Sequence, residues 1–355
     1  MSASQAHCLP LDRLRREDAA SFGGKSASLG ELLAAAVPVP PGFALAAGAF
    51  TRFVEEAGLA GAVEEALAGL DGTDPARVAA VSEAIGEQMR SAAMPADVAE
   101  EIAASYAALG GGVEGVSVAV RSSALGEDSE EATFAGQQES YLWVRGAREV
   151  ADSVRDCWVS LYSPQAISYR ARFGGARAAA MGVTVQLMVD AAVSGVMFTC
   201  NPTSGDPSMV AVNASWGLGL AVVGGEVTPD YFLLSKVTGE VVRESISAKE
   251  IEYVAGPDGR GAVRVEVPSP RSEQPCLEAA RLRELVELAG AVQRHFGSHQ
   301  DVEWAIDREG RLFVLQSRPV TAVAKPSVAP ARAEVSAIAL VMGTFGAGGA
   351  ARGGS

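Results

Sequence analysis

The sequence predicts an α+β protein with antiparallel sheet, on three observations. Its first third carries apolar residues at helical spacing, broken by Pro and Gly clusters. From residue 116 onward, short β-branched runs bounded by turn residues dominate. Near the end, two such runs flank the turn Asp307-Arg308-Glu309-Gly310, which predicts a hairpin.

Taken in order, GKSASLGELLAAA over residues 24–36 has helical spacing, opens on a glycine pair and Lys25, and stops at Pro38, Pro40 and Pro41. Helices follow at 47–57, at 75–91 with Asp74 as N-cap and Pro75 in the first turn, and at 95–109. After the glycines 110–112, a strand at 116–121 ends in Arg121, Ser122 and Ser123 and leads into a Gly-, Ser- and acid-rich loop reaching Gln138. A strand at 141–144 and helices at 147–159 and 164–173 come next. The runs 183–189 and 194–199, separated by Asp190, Ala191 and Ala192, read as a hairpin or as an interlobe hinge. Strands at 209–213, 231–234, 241–246 and 263–267, a helix at 277–296, and strands at 301–306 and 312–316 complete the pattern. Beyond Thr321 the composition turns to Ala, Pro and Gly, which predicts a flexible tail.

Composition excludes several classes. No stretch approaches the ~18 to 20 apolar residues of a membrane span, and residues 1–16 lack the order of a signal peptide; a soluble, cytoplasmic protein is expected. The net charge of −14 argues against nucleic-acid binding, which draws on phosphate neutralisation by Lys and Arg. Cys8, Cys157, Cys200 and Cys276 have no CxxC spacing and read as buried thiols, not as a zinc site or a disulfide framework.

The chemistry-bearing groups are few. Lys25 stands at a helix start, where the dipole and exposed N–H groups favour an anion; a solvated charge is the plainer reading. Arg121 offers a guanidinium fork suited to phosphate, beside two serine hydroxyls, or alternatively an ion pair with Glu127 or Asp128. The segment Thr133-Phe134-Ala135-Gly136-Gln137-Gln138 is a small-residue loop able to close its backbone over phosphates. On the closing hairpin, Asp301 and Glu303 share one strand face, and Gln316 and Arg318 follow on the next strand. Carboxylate oxygens completed by phosphate and water suit Mg²⁺. Trp304, Ile306, Phe313 and Leu315 imply that this hairpin is buried rather than a solvent-facing charged pair. His7, His295 and His299 read as structural or solvated.

In combination, the blocks GGKSASLGELL, VPPGF, VAVRSSALGED, TFAGQQESYL, VTVQLMV, SGVMFTCNP, NASWGLGLAVVGGEVTPDYF, QDVEWA and LQSRPVT resemble the N-terminal ATP-grasp domain of the phosphoenolpyruvate synthase, pyruvate phosphate dikinase and rifampin phosphotransferase family, over residues 20–322. The resemblance implies an ATP-grasp fold with a helical N-terminal part and lobes closing over the nucleotide: residues 1–190 as the first part, 191–322 as the C-terminal lobe and 323–355 as the tail. It implies that Lys25 and Arg121 hold ATP phosphates and that Thr133, Gly136 and Gln137 lie in the covering loop. Gln186, Met188 and Val189 would line the adenine pocket. Glu303 and Gln316 would bind Mg²⁺, with Asp301 beside them, and Arg318 would contact the phosphates being cleaved. Such enzymes form AMP and pass the β-phosphoryl group to a histidine on a mobile domain.

Two departures stand out. The catalytic histidine region is missing, so the phosphohistidine is expected on a separate subunit or domain, which then serves a small-molecule acceptor; the ATP-binding subunit of phenylphosphate synthase resembles this arrangement. Leu220 occupies the place of a common Glu, and Leu125-Gly126 replaces the usual Thr-Ala. Competing readings are a piece of a full-length synthase or antibiotic phosphotransferase, a non-catalytic nucleotide-binding regulator, and an ADP-forming ligase.

Overall fold

The computed structural model describes residues 6–111, 113, 115–125, 139–173 and 180–320. The chain divides into two compact units, one built from Met1–Glu31 and Pro41–Met188 and the other from Leu32–Pro40 and the residues from Val189 onward.

The first unit contains β1 (Cys8–Pro10), α1 (Ala19–Phe22), α2 (Gly24–Ala34, in this unit as far as Glu31), β2 (Gly42–Leu45), α3 (Ala47–Glu56), α4 (Leu59–Leu67), α5 (Pro75–Ser91) and α6 (Ala96–Leu109). It continues with β3 (Ser117–Ala124), β4 (Ser140–Arg145), α7 (Ala147–Val159), α8 (Pro164–Phe173) and β5 (Met181–Leu187). Its strands form an antiparallel sheet in the order β1-β2-β5-β3-β4. Alternation sends Val118, Val120, Val183 and Val185 into one core, where Trp158 of α7 meets Phe50 and Phe53 of α3 at centroid distances of 5.8 and 5.3 Å. α5 begins where the sequence predicts, because the Asp74 carboxylate accepts from the N–H groups of Ala76 and Arg77 and Pro75 occupies the first turn.

The second unit contains β6 (Ala191–Phe198), β7 (Met209–Trp216), α9 (Leu220–Val223), β8 (Asp230–Ser235), β9 (Val241–Ser245), β10 (Ile251–Ala255), β11 (Ala262–Glu266), α10 (Ala279–Phe296), β12 (Gln300–Asp307) and β13 (Leu312–Pro319). Six strands form an antiparallel sheet in the order β13-β12-β6-β7-β8-β9, and β10 pairs with β11. Trp304 is fully buried because Gly195, on the neighbouring strand, leaves room for it: a Cβ at Gly195 would come within 2.8 Å of the indole. α10 ends at Gly297, whose φ of 70° is the left-handed conformation that glycine adopts without penalty.

The observed class is the α+β one that the sequence predicts, with mixed helices and antiparallel sheets. Three details differ. The runs read as a hairpin around residues 190–192 are β5 and β6, which belong to different sheets, so the hairpin alternative is wrong. β3 does not stop at Arg121 but runs to Ala124, because Ser122, Ser123 and Ala124 continue to pair with β5 after the pairing with β4 has ended at Arg121. β1, α1, β2, α4, α9 and β10 are additional to the predicted elements; β1, α1, β2 and α9 have only three or four residues each, too few to show a period. The tail from residue 321 lies outside the described residues.

Candidate functional site

In the first unit, the start of α2 is set hard against β3. Gly23 has a φ of 83°, and a Cβ there would lie 2.2 Å from the carbonyl oxygen of Ser123, so only glycine permits both the turn and the approach. Ser26 N–H donates to Ser123 Oγ at 3.3 Å, and the Ser26 and Thr184 hydroxyls are 2.7 Å apart. This seating turns Lys25 inward: it is buried, and its Nζ donates to the carbonyl of Ser122 at 2.8 Å. The reading of Lys25 as a solvated charge is therefore wrong. Arg121 stands opposite Thr184 in register, on the sheet face away from Val118 and Val120. Ser122 and Ser123 are both buried. Ser123 Oγ accepts from Ser26 N–H and so helps to seat α2.

Gln186 shares that face. It pairs with Ala119 and Gly42, is 3% exposed, and its Nε2 has no hydrogen-bond partner among the described residues. A buried amide donor without a partner costs free energy unless something accepts from it. Met188 N–H is already engaged by Ser117 O at 2.9 Å, and Val189 O accepts from Ala191 N–H. The boundary between the two units falls between Met188 and Val189.

In the second unit, β12 and β13 place Asp301 opposite Arg318 and Glu303 opposite Gln316. Strand alternation puts all four on one face of the sheet. A bulge follows immediately: Trp304 pairs with Val314, so the register skips Leu315. Asp301 and Gln316 are buried, which agrees with the buried hairpin and not with the solvent-facing alternative. Arg318 Nε and Nη2 both reach Asp301 Oδ2, at 2.9 and 2.8 Å. Asp301 Oδ1 is left with no hydrogen-bond partner among the described residues. Burial pushes the Asp301 carboxyl up to about 6, Arg318 opposing the rise and Glu303 adding to it. An orphaned carboxylate oxygen beside a second carboxylate and an amide oxygen is a donor set that fits a hard cation such as Mg²⁺.

Other residues fall outside these two groups. Thr133, Gly136 and Gln137, like Glu127 and Asp128, lie outside the described residues. His299 Nδ1 is 3.2 Å from Thr199 O, His295 stacks edge-on with Phe296, and His7 Nε2 lies 3.9 Å from Asp97. All four cysteines are free and buried, as the sequence predicts. Leu220 opens α9 and is 36% exposed. Sequence reasoning missed Ser26, Thr184, Gln300 and Ser317, whose polar side chains are buried around the two groups. Single Ser, Thr and Gln residues in apolar strands carry no motif that would have found them.

A family profile described as "Pyruvate phosphate dikinase, AMP/ATP-binding domain" matches residues 19–337. Similar curated proteins include a probable phosphoenolpyruvate synthase of Methanothermobacter thermautotrophicus, 42% identical over 88% of this chain and 45% of its own length. Another, from Methanocaldococcus jannaschii, is 40% identical over 89% of this chain and 27% of its own length. The phosphoenolpyruvate synthase of Pyrococcus furiosus is 36% identical over 95% of this chain and 46% of its own length. The chain thus spans less than half the length of these relatives. Among the described residues no helix is long and apolar enough to cross a membrane. The profile match covers most of the chain and includes both groups of residues described above: this protein belongs to the pyruvate phosphate dikinase AMP/ATP-binding domain family.

Proposed function

We propose that this chain is the ATP-binding part of an AMP-forming phosphotransferase, passing the β-phosphoryl group of ATP to a histidine on a separate subunit or domain, and from there to a small-molecule acceptor. The observation that carries the reading is the β12–β13 hairpin, where two carboxylates, an amide and a guanidinium share one face and one buried carboxylate oxygen has no hydrogen-bond partner among the described residues. Family membership supports ATP as the nucleotide.

In this reading Glu303 and Gln316 hold Mg²⁺, with Asp301 Oδ1 directed at the same donor set. The ion, when bound, neutralises charge on the phosphates. Lys25 and Arg121 bind phosphate oxygens, and Arg318, already anchored by Asp301, stabilises the charge that develops as the bridge between the α- and β-phosphates breaks. The acceptor imidazole nitrogen forms the new bond to the β-phosphorus while AMP departs. Water takes the γ-group as inorganic phosphate. No general base on this chain is required, because the imidazole is itself the nucleophile. Gln186 Nε2 offers a hydrogen bond to the base, supplementing apolar contact from Met188 and Val189. The protein acts in the cytoplasm in this reading.

The test is phosphorus NMR of the chain with ATP, Mg²⁺ and a phosphohistidine domain of the same family supplied as a separate protein. AMP and inorganic phosphate are expected to grow together, slowly or not at all without that protein. ADP as the product would overturn the reading. A second reading, a nucleotide-binding regulator without turnover, draws on Leu220, an apolar side chain where a carboxylate is usual. Tight ATP binding with no phosphoryl transfer to any histidine partner would support it.

A further inference from the structure

Behind the hairpin lies a second set of polar residues that binds nothing in the mechanism above. Ser317 sits between Gln316 and Arg318, and Gln300 precedes Asp301. Register places both on the opposite face from those four, with Ser317 paired to Val302. There Ser317 Oγ donates to Gln300 Oε1 at 2.9 Å, across the two strands. The Gln300 amide is otherwise spent: Nε2 donates to Ser298 Oγ at 2.9 Å and to His299 O at 3.3 Å. Its main chain is tied to Thr199 twice, N–H to Thr199 Oγ1 at 2.8 Å and O from Thr199 N–H at 2.9 Å. Thr199 O in turn accepts from Lys236 Nζ, which also donates to Pro207 O and to Gln293 Oε1 of α10. Thr199, Gln300 and Ser317 are all at most 3% exposed.

Such a chain of bonds is not needed for burial alone. Replacing both partners of a buried hydrogen bond with apolar groups of similar shape is close to neutral for stability. Its position is informative instead. The register between β12 and β13 shifts directly after the Glu303–Gln316 pair, so the regular ladder fixes Gln316 from the Arg318 side and gives way to the bulge on the other.

We propose that the Gln300–Ser317 hydrogen bond is a brace that positions Gln316 and Arg318 against Glu303 and Asp301 from the reverse face, with Thr199 and Lys236 anchoring it to α10. Both are positioning residues; neither touches ligand. The inference rests on the reading of the hairpin as a Mg-ATP site. Outer partners that orient metal ligands are worth about 10- to 100-fold in metal affinity.

The test uses the full chain, with Mn²⁺ in place of Mg²⁺ and ATP present, metal affinity being read by electron paramagnetic resonance and folding by thermal melting. Ser317→Ala, and the paired change Gln300→Met with Ser317→Ala, are expected to weaken Mn²⁺ binding by about tenfold or more. The paired variant is expected to melt within a few degrees of the native chain. Ser317→Thr, which keeps the hydroxyl, is expected to bind Mn²⁺ as the native chain does. Native affinity in both Ser317→Ala variants would overturn the brace, as would a loss that Ser317→Thr shares. A native chain that binds neither Mn²⁺ nor ATP would overturn the hairpin reading itself, and the brace with it.

Discussion

Lys25 Nζ donates to the main-chain carbonyl of Ser122, 2.8 Å away, so the ammonium is held beside the residue that follows Arg121. A long, flexible cation gains little from such a seat unless its position matters, since fixing its side chain costs about 1.5 to 2 kcal/mol of conformational entropy. In the proposed function this bond directs Lys25 at a phosphate. Lys25→Met is expected to weaken ATP binding by about tenfold or more, the value of one charge-assisted hydrogen bond, in a calorimetric titration. Lys25→Arg is expected not to restore it, because the planar fork does not reproduce the compact ammonium.

The seat of α2 depends on Gly23. Its φ of 83°, and the mere 2.2 Å that would separate an added methyl carbon from Ser123 O, leave alanine no place. Gly23→Ala is expected to destabilise the chain by about 1 to 3 kcal/mol or more in urea denaturation, from strain and overlap together. Gly58→Ala meets no neighbouring atom and carries only the penalty for its φ of 65°, so the smaller loss is expected there.

In the second unit Asp230 and Lys249 form an ion pair at 2.6 Å with both side chains fully buried. Asp230 also accepts from the N–H groups of Ser247 and Cys276, and Lys249 donates to Ser247 O. Removing one partner strands the other charge: Lys249→Met is expected to cost about 3 to 5 kcal/mol in urea denaturation. A loss near zero would mean that this network is not formed in solution.

Burial pushes the Cys8 thiol up to about 12, with Glu101 adding to the rise, and it also raises Cys157, Cys200 and Cys276. The thiolate is the form that reacts with alkylating agents, so raising the pKa of these thiols suppresses their reaction at pH 8. Iodoacetamide is expected to label none of the four cysteines in the native chain at pH 8 within minutes, and all four after unfolding.

Much of this molecule was legible in its sequence, for identifiable reasons. α5 is legible because its Asp74 cap and Pro75 are local signals, and α7 because its buried residues Val150, Val154, Cys157 and Trp158 recur at helical spacing. The β12–β13 hairpin was legible because its turn sits between two apolar runs, and the turn is observed with Gly310 N–H donating to Asp307 O. The burial of Lys25 was not, because it depends on a long-range approach of Gly23 to Ser123 that no local pattern encodes. Nor was the placement of β5 and β6 in separate sheets, since two adjacent apolar runs with a short break look the same in either arrangement. The Gln300–Ser317 bond likewise links residues 17 apart whose types are common in strands.

The most direct test of the proposed Mg-ATP site is calorimetric titration of ATP into the native chain and into Glu303→Gln, each with and without Mg²⁺. Saturable binding to the native chain is predicted, one nucleotide per chain, strengthened by Mg²⁺. Glu303→Gln is predicted to melt like the native chain and to lose the Mg²⁺-dependent part of that binding. Absence of ATP binding by the native chain, or an undiminished effect of Mg²⁺ in Glu303→Gln, would contradict the assignment.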